Sequence, residues 1–316
     1  MITNNFSKQR SNSTLWFMLC YFILCFYYFG VTMMVYMVDY PAISFVHENI
    51  EPVFEIFKQQ LLFVCYIPAV LMVFSSIAFL LNAPKEFPRW CISASVMSGL
   101  VSVATTFFVY SSVIAQLPSR GFTPELQKQI LPISLYLQII PAACQVLLVF
   151  FLINIYLKDT KPVGRWLFIV VFILTFYTAG TGYVEGLVNY KFWGSVGNAD
   201  WLPLRFSGSS ARFMGTFLIP AFLPFLLIIP LIWLRPKPVP RYFTFIFFAA
   251  QLWIFIVTAV YFVPKIQLPL NNAYSLKLIE DLNKYDFILR GTAGLVLSFI
   301  TAWMFVKIMK HKSAFM

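Results

Sequence analysis

Apolar residues gather into eight runs, near 14–38, 60–81, 90–115, 132–157, 166–188, 212–234, 242–263 and 287–308. A helix needs roughly 20 mostly apolar residues to cross a hydrocarbon core. No run has the strict period-two alternation of a barrel strand. In lipid the backbone must satisfy its own hydrogen bonds, so only helices and closed barrels span. The pattern predicts an all-α membrane protein with eight transmembrane helices. The first run follows Lys8 and Arg10, as a signal peptide would. It outlasts an h-region of about 7–15 residues and lacks a small-x-small cleavage site, so it is read as a retained span.

Composition agrees with that reading and adds an orientation. The chain of 316 residues is 60% hydrophobic and 11% charged, against about 25% charged in a soluble domain. So few charges cannot cover a water-facing surface, and the lipid bilayer is the expected surrounding. The N-tail, the short connectors near 82–89, 158–165 and 235–241, and the C-tail hold thirteen Lys and Arg against only Glu86 and Asp159. The whole net charge of +11 therefore lies on one face, because acidic and basic residues cancel in the long connectors. Positive connectors stay cytoplasmic, which predicts N-in and C-in. The basic residues form no soluble face with interleaved aromatics, which argues against a nucleic-acid partner. The Phe-, Ile- and Lys-rich composition points to a bacterial inner membrane, hence a multi-pass protein of the plasma membrane.

The two halves echo each other. Gly30…Val38-Asp39-Tyr40 matches Gly180…Val188-Asn189-Tyr190 at an offset of 150, and Ile67-Pro68-Ala69 matches Ile219-Pro220-Ala221 at 152. Pro88-Arg89 matches Pro240-Arg241, also at 152, and Gln116-Leu117-Pro118 matches Gln267-Leu268-Pro269 at 151. Chance similarity of apolar segments is the competing account. A tandem duplication would divide the chain into a cytoplasmic tail (1–13), a four-helix repeat (14–158), a second four-helix repeat (159–309) and a short cytoplasmic C-tail (310–316). Four spans per copy make the repeats parallel, with a pseudo-two-fold axis along the membrane normal. Pro68 and Pro220 are expected to kink their helices. Trp90, Trp166, Trp193, Trp201 and Trp233 are expected in the interfacial belts.

Polar residues within spans concentrate at the ends facing the long connectors. They include Asp39, Gln116, Gln138 and Gln145 in the first half, and Glu185, Asn189, Gln267, Asn271, Asn272, Asp286 and Arg290 in the second. Asp286 and Arg290 are spaced i,i+4 and can pair on one face. Such groups either hydrogen-bond between helices and pin the bundle or line an outward-facing pocket.

The stretch Pro269-Leu270-Asn271-Asn272, with Arg290 opening the last span, resembles the anthrone-oxygenase-like family of four-helix membrane proteins. The resemblance covers the second half. The first half has Ser119-Arg120 after its Gln-Leu-Pro, and Ile140 at an offset of 150 from Arg290. It implies that Asn271, Asn272 and Arg290 polarise the oxygen of a bound aromatic or quinone-like molecule.

A second cluster comprises His47, Glu51 and Glu55, at i, i+4 and i+8 if helical. It offers a candidate divalent-ion site, and a solvated amphipathic segment explains it equally. Pro52 disturbs the helical reading. His47 and His311 fall on opposite faces, so they cannot share a haem. No GxGxxG, P-loop, HExxH or GxSxG motif is present. The five cysteines lie in or beside apolar runs with no CxxC spacing. No cofactor is expected. Two functions stay open: a membrane enzyme acting on a hydrophobic aromatic, or a non-catalytic binding, transport or assembly protein. A channel lacks a polar stripe along the full length of any span.

Overall fold

The computed structural model describes residues 2–120, 123–206 and 209–313, with side chains described over 13–108, at Thr123, and over 126–206 and 211–312. Among the described residues there is no strand, and eight helices are long and apolar enough to cross a membrane. Spans one to four run Ser13–Ile43, Ile50–Asn82, Arg89–Phe108 and Leu126–Tyr156. Spans five to eight run Pro162–Trp193, Ala211–Leu234, Arg241–Asn272 and Leu276–Lys312.

Several spans are longer than a bilayer requires. Span two has 33 residues, about 50 Å at 1.5 Å per residue, against a core of about 30 Å. The connectors at 83–88, 157–161 and 235–240 are short, so the excess projects on the opposite side. Much of what reads as long loop is therefore helix. Ile50–Leu61 turns Val53, Phe54, Phe57 and Leu61 inward and leaves Glu51 and Glu55 exposed. Pro52 sits in its first turn, where a missing N–H costs nothing. Asn49, just before it, takes a left-handed conformation at φ 54°.

Span two packs on spans one and three, and span four on spans three and one. Spans five to eight repeat that pattern: span six lies on five and seven, and span eight on seven and five. Span one also packs along span five, and each of the pairs one–eight and four–five is in contact.

Most spans contain a π-helical stretch. These lie at Val35–Asp39 and Val184–Asn189, at Leu62–Tyr66 and Met214–Leu218, and at Ser134–Ile139 and Phe287–Gly291, with a longer one at Thr258–Gln267. Five of the seven are followed by proline at the second position of the next helix: Pro41, Pro68, Pro141, Pro220 and Pro269. Proline has no N–H to donate and its ring crowds the carbonyl four residues back. A widened turn just before it absorbs both defects. In spans four and eight these stretches start at Ser134 and Phe287.

At the short-connector end, Lys312 joins Glu86 at 3.1 Å and Asp159 at 3.5 Å. The end of span eight thus meets the two acidic groups of the first two short connectors. Trp90, Trp233 and Trp166 are exposed, as belt residues are, whereas Trp193 and Trp201 are buried. Trp201 donates its indole N–H to the Leu270 carbonyl at 2.7 Å and meets Trp193 edge to face. The enclosed layer at the long-connector end holds these two rings.

Candidate functional site

A cavity of about 520 Å³ opens between spans five, six, seven and eight. Its space comes from missing side chains: Ala179, Gly182 and Gly186 on span five face Gly291, Gly294 and Ser298 on span eight. A Cβ on Gly294 would meet nothing within 4 Å, and one on Gly182 would only touch the Phe217 ring at 3.6 Å. Phe217, Phe247, Phe255, Ile254 and Leu297 supply apolar walls. Volumes of about 300–1,000 Å³ with few polar groups are usual for small-molecule sites.

The polar groups converge at the long-connector end: Glu185, Tyr190, Asn283, Asp286 and Arg290. Arg290 pairs with Asp286 one turn earlier on span eight, donates to the Tyr190 hydroxyl at 3.1 Å, and lies 4.0 Å from the centre of the Phe262 ring. The pair is largely buried, at 19% and 16% side-chain exposure. A buried carboxylate with a guanidinium partner is far less costly than either charge alone. Asn189, behind Glu185, donates its amide N–H to the Glu185 carboxylate at 2.7 Å.

The remaining sequence candidates lie elsewhere. Gln267 and Asn271 accept hydrogen bonds from Arg205, on the helix Asn198–Phe206, with 2.8 Å to the Asn271 carbonyl oxygen. The guanidinium of Arg205 stacks 5.1 Å from the Trp193 ring. Burial lowers its pKa from the ordinary arginine value, and the nearby Glu185 charge opposes that shift. Asn272 is exposed, and neither asparagine lines the cavity. The Gln116 side chain lies outside the described residues.

His47, Glu51 and Glu55 are exposed, and Glu55 sits 3.6 Å from Lys58. Among the described residues no three His, Cys, Asp or Glu side chains gather as metal ligands. The anchor of this segment is Asp200, whose buried carboxylate accepts the backbone N–H groups of His47 and Glu48 at 2.6 Å each. Sequence reasoning missed Asp200, Tyr190 and Arg205, because each sits in or beside a segment that reads as loop. Their available signal was company: Asp200 and Arg205 flank Trp201 within one short amphipathic stretch.

In the first half, buried polar side chains bridge the spans. Tyr21 bonds Ser95 and accepts from Gln145 at 3.2 Å. Tyr28 meets Thr106 at 2.6 Å and Ser102 at 3.2 Å, while Gln138 donates to Thr106 at 2.8 Å. Here Gln138 and Gln145 pin helices together.

Comparison of the chain with protein-family models, with curated proteins and with solved structures finds no match. The fold itself defines the class: a polytopic membrane protein with eight apolar spanning helices.

Proposed function

We propose that spans five to eight form a binding site for a hydrophobic aromatic or quinone-like small molecule, with one oxygen of the ligand turned toward Arg290. The observation that carries this reading is the contrast between the halves. At the offset of 150, Tyr28, Phe29, Thr32 and Tyr36 of span one correspond to Thr178, Ala179, Gly182 and Gly186 of span five. Tyr28 is fully buried against spans three and four, whereas Thr178 borders open space. Smaller side chains at four positions on one helix support a carved pocket between spans five and eight.

That comparison rests on the two halves being copies of one four-helix unit. Supporting it are the shared packing pattern and two equivalent hydrogen bonds. Tyr27 donates to the Val64 carbonyl and Tyr177 to the Thr216 carbonyl, both at 3.0 Å. We place the termini and short basic connectors in the cytoplasm of a bacterial inner membrane, which turns the polar end of the cavity outward.

Binding or transport is favoured over oxygenation. The family resemblance implies a joint action of Asn271, Asn272 and Arg290, yet Asn271 is engaged by Arg205 away from the cavity. The test is titration of a short-chain quinone into nanodisc-embedded protein, followed by tryptophan fluorescence. Gly294→Leu fills the cavity from a position with free space, and is expected to abolish quinone binding while leaving the thermal melt intact. Equal binding by wild type and variant contradicts the proposal.

A further inference from the structure

Where spans one and five meet, three polar side chains are buried: Asp39 at 0% exposure, Asn189 at 3% and Glu185 at 6%. Asp39 closes the π stretch of span one, and the other two lie on that of span five. Asn189 is the side-chain donor that faces Asp39, but no well-aligned hydrogen bond reaches either Asp39 oxygen, and the Asn189 carbonyl oxygen has no partner. Asn189 gives its amide N–H to Glu185. The junction thus holds more acceptor oxygens than its one amide donor, Asn189, can satisfy. An ionised carboxylate is costly to bury without a partner; one proton on Asp39 removes the charge and supplies a second donor.

The surrounding charges divide the roles. Around Asp39 stand Asn189 and Glu185 of span five, with Tyr40 next in its own chain. Arg212, opening span six, faces Tyr36. Arg205 and Arg290 act on Glu185, which also feels Asp286. Both arginines are engaged, Arg290 by Asp286 and Tyr190, Arg205 by Gln267 and Asn271. The cations therefore stand by Glu185, and among the described residues none stands by Asp39.

We infer that Asp39, Asn189 and Glu185 form a proton-binding site at the junction of the halves, with Asp39 holding a proton at rest and Glu185 taking up a second when the cavity fills. Glu185 is the member that lines the cavity. A seated apolar molecule strips water from its carboxylate, which then adds one proton drawn from bulk water. No other bond forms or breaks. The second half of this inference rests on the ligand-binding reading; the first does not.

Infrared spectroscopy of the full chain in nanodiscs tests both. At neutral pH, without ligand, the C=O stretch of a protonated carboxylic acid is expected, lost in Asp39→Asn and kept in Glu185→Gln. Should Asp39→Asn fail to accumulate, carbon-13 aspartate labelling of the wild type serves instead. The resting band must then shift. Asp286 and Asp200 are already matched by donors, and Asp159 and Asp281 lie outside the buried core. Absence of a resting band, or a band indifferent to both manipulations, overturns the site. Addition of a short-chain quinone is expected to raise a second band in wild type and none in Glu185→Gln. Quinone binding without that band overturns the coupling and spares the pocket. No quinone binding defeats the pocket, and the resting band still decides the proton site.

Discussion

Gly30 and Gly180 are reciprocal: a Cβ on Gly30 would strike the backbone carbonyl of Tyr177, and one on Gly180 the backbone carbonyl of Tyr27. Each glycine lets the other's helix approach backbone to backbone, the way small residues work in membranes where no hydrophobic force draws helices together. Neither obstacle is a movable side chain. Gly30→Val and Gly180→Val are each expected to destabilise by about 1–3 kcal/mol or more, as overpacking does. The two melting temperatures in detergent should fall by similar amounts. A large drop for one and none for the other contradicts a symmetric junction.

The buried ion pair makes a second prediction. Arg290→Ala leaves Asp286 uncompensated and should cost about 3–5 kcal/mol, whereas removing both partners costs less than the single change. A double-mutant cycle on thermal stability reads this coupling. Additive losses would mean that the pair contributes nothing as a pair.

The buried polar bridges of the first half make a third. Gln145→Ala removes a donor to the Tyr21 hydroxyl and empties space beside Gly99, which its side chain fills. A loss of about 1–3 kcal/mol follows from the unpaired group and the void. Quinone affinity should not change. Altered affinity with unchanged stability would move the site out of the second half.

A fourth concerns the long-connector end. Asp200→Ala strips the shared acceptor from the His47 and Glu48 amides and should loosen the turn before span two. Backbone hydrogen exchange at residues 44–50 is expected to rise, with the spans unaffected. Unchanged protection there would mean that Asp200 does not anchor the segment.

The spans were legible because apolar length is a one-dimensional property. Their outward helical extensions were not: Ile50–Leu61 and Leu276–Asp286 mix charge with apolar residues, which in isolation fits loop and helix alike. Glu185, Asp286 and Arg290 were legible as candidates because ionisable residues are rare inside spans. Asn271 was legible as a candidate, but a short motif does not reveal that Arg205 is its partner. The cavity itself was invisible, being written in absences. Gly182, Gly186 and Gly294 look like packing glycines until their missing side chains prove to face one another.

The most direct measurement is an electron cryo-microscopy reconstruction of the chain purified in lipid nanodiscs after incubation with a short-chain quinone. Planar density between spans five and eight, with one end against Arg290 and lost in Gly294→Leu, is the predicted result. Quinone density elsewhere in the fold, or a cavity closed by contact of spans five and eight, would contradict it.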